Sequence, residues 1–426
     1  MTGRQRPTLP RPIRPLIGTV AAGALLMTGC GVLPGASGDS GEPVTVVTWA
    51  PSGASGPDSA DMAGMTAMAQ TYARWINGSG EIDGHKLRVV TCDEQDTSIG
   101  AGRCARRAVE EKAVAVVGSY SRYGRAFMAP LEVAGIPYIG GYGASEEEFR
   151  SYMSYPVTGG QFALLAGNAK QLARGCERVS LVRPDTLGGD GQSWLLRTGL
   201  AEARRPAPTD IRASETATSY DSAAGQALAG AGAAGGCVTA VLGDRTETFF
   251  DSFRRLAPTT AAVSISSVLG SVGQPLIDRT GGRDSPFEGA YVTGWYPDAG
   301  DARWNRMRQV IREHAFGDNR IDPDDTGAQT TWIAYTALKS IIESLDEPVI
   351  TAGKVTKALD KGIRVDTGGL TPELRWRYED MIGSDSYPRI VNSKVTFQVV
   401  RDGKLVADKK GFVDVTKTLS DASATG

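Results

Sequence analysis

Hydrophobic positions in this chain fall into short continuous runs separated by segments with helical spacing. Residues 44–49 form a β-rich apolar run, and Met62, Met65, Ala69, Tyr72 and Ile76 follow at intervals of three and four, the core stripe of an amphipathic helix. Further short runs occupy 87–91 and 114–117, with a helical segment carrying Cys104 and Val109 between them, and a fourth starts at Tyr138 and Ile139. Strands that are apolar on both faces and alternate with helices predict parallel βαβ units, with helices covering both sides of the sheet.

The alternation then begins again. Residues 179–182, 238–242, 262–265 and 289–293 read as strands, and 194–203, 222–229 and 246–256 as the helices between them. Two sheets of similar plan predict an α/β protein of two doubly wound, parallel-sheet lobes joined by a hinge. The segment 330–345 reads as a strong helix, with Ile333, Ala337, Ile341 and Leu345 each four apart. Near the end, 395–400 and 405–407 flank Asp402-Gly403, the signature of a type I′ hairpin. The polar stretch 416–426 reads as a mobile tail.

Composition changes the picture at the N-terminus. Arg4, Arg6, Arg11 and Arg14 precede an apolar run over 16–27, and small Thr28 and Gly29 stand directly before Cys30. This is the pattern of a signal peptide over 1–29 with a lipoprotein-type cleavage site. The apolar run is too short to span about 30 Å of hydrocarbon, and a Gly/Pro/Ser-rich tether, taken as 30–43, follows. The mature chain is therefore expected to start at Cys30, to carry lipid there, and to work on the outer face of the cell membrane.

With Cys30 acylated, the five cysteines leave an even set of four. Four allow three connectivities. The two local pairs, Cys92 with Cys104 and Cys176 with Cys237, are preferred because each joins neighbouring elements. A formal charge of -2 offers no basic field for nucleic acid, and no long apolar run remains after Cys30. The two histidines, His85 and His314, are far apart. A His-based metal cluster or a Ser-His-Asp relay is therefore hard to build, and His85, in the turn Asp83-Gly84-His85, reads as a solvated turn residue. No cofactor, metal site or catalytic group is expected.

Several strings are recognisable. Residues 75–87 (WINGSGEIDGHKL), 92–96 (CDEQD), 114–118 (VAVVG) and 134–138 (AGIPY) together resemble the first lobe of the leucine/isoleucine/valine-binding protein family. Weaker resemblance at 182–191, 289–296, 331–338 and 368–374 extends it over the mature chain. The family consists of type I periplasmic binding proteins, of Venus-flytrap architecture, that serve ABC importers. The resemblance implies a solute-binding lipoprotein that closes on a small polar molecule, an amino acid, amide or similar, and passes it to an ABC permease. The same lobes would suit a ligand sensor coupled to a membrane receptor. An extracellular enzyme would need an acid/base or nucleophilic group in the cleft, and the histidines supply none. With the chain crossing near Pro156, Tyr296 and Leu374, lobe 1 is expected over 44–156 plus 297–374. Lobe 2 is then 157–296 plus 375–415.

Ligands of open α/β sheets sit beyond the carboxyl ends of the strands. Ser119 and Ser121 follow one strand there, and Tyr142, Gly143, Ala144 and Ser145 follow another. Ser121 also matches the family's serine position. Ser145 with Glu148 makes a capping-box pattern, which predicts a helix start with free backbone NH groups suited to a carboxylate, although Ser145 is equally an N-cap. In the second lobe the aromatic residues that the family often carries look absent, and Asp185 and Asp244 are the candidates to face an ammonium group or to cap the helices that follow them.

Overall fold

The structure, a computed structural model, describes residues 41–53, 61–232, 235–256 and 263–423. Cys30 and the leader therefore lie outside the described residues, as do most of the expected tether and position 262 of one expected strand. The first half reads β1 (Gly41–Ala50), α1 (Ala63–Gly78), β2 (His85–Asp93), α2 (Ser98–Glu110), β3 (Ala115–Val117), α3 (Gly124–Ala134), β4 (Tyr138–Ile139) and β5 (Ser154–Tyr155). These strands form a parallel sheet in the order β2-β1-β3-β4-β5. Successive side chains of a strand point to opposite faces. Val44, Val46 and Ala50 accordingly enter one core with Met65, Met68 and Tyr72 of α1, whereas Val47 and Trp49 enter another with Ala101 and Cys104 of α2 and Phe127 of α3.

The chain continues as α4 (Gly160–Leu172), β6 (Arg178–Pro184), α5 (Leu187–Glu202), β7 (Thr209–Ala213), α6 (Asp221–Ala231), β8 (Gly236–Ala240), α7 (Thr246–Arg254), β9 (Ser264–Val268), α8 (Gln274–Arg279) and β10 (Tyr291–Gly294). It then runs through α9 (Asn305–His314), α10 (Thr326–Glu343), α11 (Ala352–Asp360), β11 (Lys394–Arg401), β12 (Lys404–Asp414) and α12 (Thr416–Ser423). The second sheet has the order β12-β11-β10-β9-β8-β6-β7. β6 to β10 pair in parallel, and the hairpin of β11 and β12 adds two antiparallel strands at one edge. Asp402 and Gly403 both have positive φ, 51° and 72°, as a type I′ turn requires.

α10 belongs to the first sheet: Thr331 donates its hydroxyl to the Gly118 carbonyl (3.1 Å), and Thr48 shares a hydrogen bond with Tyr335 (2.7 Å). Between the sheets the chain crosses three times, and the crossings are tied together. Trp376 Nε1 donates to the Pro156 carbonyl (2.8 Å), Trp295 Nε1 to the Gly160 carbonyl (2.9 Å), and Asn392 Nδ2 to the Val157 carbonyl (3.0 Å). Both disulfides preferred from the sequence are present, Cys92–Cys104 and Cys176–Cys237, each with Cα atoms 5.7 Å apart.

Several expectations need correction. β1 starts at Gly41, inside the expected tether, because the Gly41 amide donates to the Gly84 carbonyl (3.0 Å) and extends the pairing with β2. Residues 416–423 are helical: Leu419 and Ala422, three apart, are buried, and Trp194 Nε1 donates to the Ala422 carbonyl (2.9 Å). His85 is buried, with Nδ1 2.9 Å from the Glu42 carbonyl and Nε2 2.9 Å from the Glu347 carbonyl. That clasp between β1 and the loop after α10 is invisible in local sequence. α5 begins seven residues before the expected 194, capped by Thr186, whose hydroxyl accepts from the Gly189 amide (3.1 Å).

Candidate functional site

The carboxyl ends of β3 and β4 face those of β8 and β9 across a cleft of about 350 Å³. Tyr120 and Arg122 reach it from the loop after β3, Tyr142 and Ala144 from the loop after β4, and Trp295 from the crossing after β10. Lobe 2 contributes Leu242 to Arg245, which follow β8, Leu269 to Ser271, which follow β9, and Gln192 of α5. A roomier depression of about 480 Å³ runs along α11 beside Gly135 and Met153. It lies on the first lobe alone, so the cleft is the candidate site.

Three aromatic rings wall the cleft. Tyr120 and Tyr142 have centroids 5.3 Å apart, and Tyr142 meets Trp295 edge-on at 5.3 Å. Tyr142 is fixed further by a hydrogen bond of its hydroxyl with Thr326 (3.0 Å). Aromatic side chains are thus supplied by the first lobe and the hinge, not by the second lobe, where the sequence reading sought them. Their signal in the sequence was position: each stands within three residues after a strand end.

The loop 142–145 does not present free amides. Gly143 donates its NH to Glu148 Oε2 (3.0 Å), and Ser145 donates its NH to Glu148 Oε1 (3.1 Å) and its hydroxyl to the same oxygen (3.2 Å). Tyr142 donates its NH to the Ser119 carbonyl (2.9 Å). The capping box exists, but it heads only a four-residue 3-10 turn, Glu146–Phe149. Glu148 is buried, and burial pushes its carboxyl up to about 7 against the opposing hydrogen bonds of Ser145, Gly143 and Ala144. Gly143 and Ser145 are therefore positioned by a protein carboxylate at the place where a ligand carboxylate was expected.

Ser119 and Ser121 are both fully buried. Ser119 Oγ accepts from the Trp49 amide (3.0 Å) and Ser121 Oγ from the Tyr123 amide (3.1 Å), so both support the loop after β3 behind Tyr120 and Arg122. Beside Ser121 lies Glu94, also fully buried, and among the described residues neither of its carboxylate oxygens has a partner in hydrogen-bonding geometry. Burial pushes Glu94 up to about 7; the Ser121 hydroxyl nearby opposes the shift and Asp96 reinforces it.

Asp185 does not enter the cleft. It is exposed, 3.8 Å from Arg212, at the margin of an ion cluster in which buried Arg183 holds Asp210 and Asp190. At that corner Pro184 and Gln192 line the cleft instead. Asp244 does line it, in the turn Gly243–Arg245. Water still reaches its carboxylate, but the surrounding walls raise its pKa, with desolvation first and the Arg122 charge opposing. Arg122 donates Nε to Asp96 Oδ1 (3.2 Å) and also pairs with Asp96 Oδ2. Among the described residues no group of three His, Cys, Asp or Glu side chains is placed to hold a metal ion, and no helix is long and apolar enough to cross a membrane.

Two α/β lobes tied by three crossings, with a cleft between their strand ends, define a binding protein of the hinged, two-lobed class. The chain belongs to the periplasmic binding protein family, whose model matches residues 51–385, and the members of that family are not enzymes. Its fold is similar to that of a solute-binding protein from Rhodopseudomonas palustris in complex with p-hydroxybenzoic acid (TM-score 0.70, 16% identity, 88% of this chain and 97% of that one). It is similar as well to a branched-chain amino acid ABC transporter protein from Thermus thermophilus with bound valine (TM-score 0.68, 17% identity, 88% and 98%). A third, from Rhodopirellula baltica, is described as a possible leucine/isoleucine/valine-binding protein (TM-score 0.65, 15% identity, 88% and 98%). No curated protein matches the chain.

Proposed function

We propose that this protein captures a small polar solute, an amino acid, amide or similar, between its lobes and delivers it to an ABC permease from a lipid anchor at Cys30 on the outer face of the membrane. The observation that carries the reading is the cleft itself: strand-end loops of both sheets and the crossing residue Trp295 border one volume of about 350 Å³. A solute touching both lobes makes its full set of contacts only when they are closed, so its binding energy shifts the hinge equilibrium toward closure. The similar proteins that hold valine and p-hydroxybenzoic acid support a solute of that size.

A thermal-shift screen against amino acids, amides, amines and small aromatic acids tests this, because a ligand that binds only the folded state raises its melting temperature. Absence of any shift with these classes and with a cell extract would refute solute capture. The anchor has its own test. Cys30→Ala should release the protein from the membrane fraction, and an unmodified Cys30 in membrane-extracted protein would remove the anchor from the proposal.

A further inference from the structure

Three features of the cleft bear on the charge of the solute. The first is what the loop 142–145 has already bound. Its Gly143 and Ser145 amides and the Ser145 hydroxyl donate to Glu148, and its Tyr142 amide donates to the Ser119 carbonyl. Ser121 is fully buried beside Glu94. A carboxylate entering here would find these donors engaged and would face an acidic group behind each of the two loops.

The second feature is the balance of side-chain charge at the cleft. Arg122 is held by Asp96, and Arg245 donates Nε to the Glu215 carbonyl (3.2 Å). Asp244 borders the same volume from the opposite lobe and, among the described residues, has no ion pair or hydrogen bond. A carboxylate partly stripped of water and without a counter-ion in contact, the charges of Arg122 and Arg279 acting on it only from a distance, is stabilised by a cation that reaches it. The third feature is the aromatic wall. Tyr120, Tyr142 and Trp295 border the same volume, and aromatic faces attract cationic nitrogen, most strongly when water is excluded.

Resting on the solute-binding reading above, we propose that the solute is an organic cation, an amine or quaternary ammonium compound without a carboxylate, whose nitrogen lies in the cleft against the wall made by Tyr120, Tyr142 and Trp295 and faces Asp244. Closure of the lobes brings Asp244, on the second lobe, toward the rings of the first, so both halves of the cation subsite are complete only in the closed state. The assignment differs from an amino-acid site in one respect: Glu148 occupies the donors that would hold the acid.

Calorimetric titration with choline, ethanolamine and tetramethylammonium, set against valine and p-hydroxybenzoate, tests it. Choline or another of the cations should bind and the two acids should not. Asp244→Asn should weaken cation binding at least about tenfold, and Tyr142→Leu at least about fivefold, at unchanged melting temperature for the exposed Asp244. Binding of an acid with no response to the cations overturns the proposal while leaving solute capture standing. Cation binding that is indifferent to Asp244→Asn also overturns it. Failure of every probe, together with failure of a cell extract to shift the melting temperature, removes both readings.

Discussion

Glu148 folds back on Ser145, its Oε1 accepting both the Ser145 amide (3.1 Å) and the Ser145 hydroxyl (3.2 Å) while its Oε2 takes the Gly143 amide (3.0 Å). One buried carboxylate thereby organises the whole loop after β4, and the loop carries Tyr142 into the cleft. Ser145→Ala should destabilise the protein by about 1 kcal/mol, the usual cost of losing an N-cap side chain. Glu148→Ala should cost more, because it strands buried amides at about 1–3 kcal/mol each. Urea denaturation of the two variants checks the order, and equal losses would show that the amides find other acceptors.

Acid should stabilise this protein. Glu94 and Glu148 are both pushed by burial to about 7, above the ordinary 4.5. The folded state therefore binds more protons than the unfolded one between these values. Stability from each group is complete below about 4.5 and is lost as pH rises through 7, by roughly 3 kcal/mol per group. Melting temperature should fall between pH 5 and pH 8, and Glu94→Gln should flatten that fall. An unchanged slope in the variant would take Glu94 out of the account.

Ser121→Ala should act on stability, not on affinity. The hydroxyl is fully buried and opposes the charging penalty of Glu94, so its loss should steepen the decline of stability with pH. Ligand affinity at pH 5.5 should change less than about threefold, since no hydrogen bond to solute is removed. A tenfold loss of affinity without loss of stability would instead return Ser121 to the binding surface.

His85→Ala should cost about 2 kcal/mol, because it removes the ring that bridges the Glu42 and Glu347 carbonyls, with the hydrogen bond its one N–H donates to one of them, and leaves a void against Gly41, whose backbone packs under the ring. Chemical denaturation measures the loss. A surface residue would give a change within about 0.5 kcal/mol.

Removing the disulfides should produce unequal effects. Cys92–Cys104 spans 12 residues and Cys176–Cys237 spans 61, so on the loop-entropy account their stabilising contributions are about 3 and about 4 kcal/mol. Paired serine variants compared by melting temperature should show the larger drop for the second bond.

Where side-chain pattern follows backbone periodicity, the chain was legible before its structure. The stripe from Met62 to Ile76 became α1, the continuous runs became β1, β2 and β3, and Asp402-Gly403 became the turn between β11 and β12. Three elements were not legible. β5 and β7 have two and five residues, and α12 carries few apolar positions. Each exists because neighbours accept it: β5 pairs with β4, β7 pairs with β6, and Leu419 and Ala422 bury themselves against the second lobe.

The candidate site divides along the same line. Its location was readable, because strand ends and the residues after them follow from order along the chain. Tyr142, Ala144 and Asp244 were found that way, and all three border the cleft. Its chemistry was not readable. Whether Ser145 donates to a solute or to Glu148, whether Asp185 turns inward or toward Arg212, and whether Trp295 meets Tyr142 depend on contacts between elements distant in sequence or on side-chain direction. By itself the sequence determined two α/β lobes, an even set of four cysteines after Cys30 and the loops that face each other, because these depend on periodicity and spacing. Tertiary structure alone decided which polar groups in those loops remain for a solute, since a hydrogen-bond donor serves whichever acceptor the packed fold brings within about 3 Å of it.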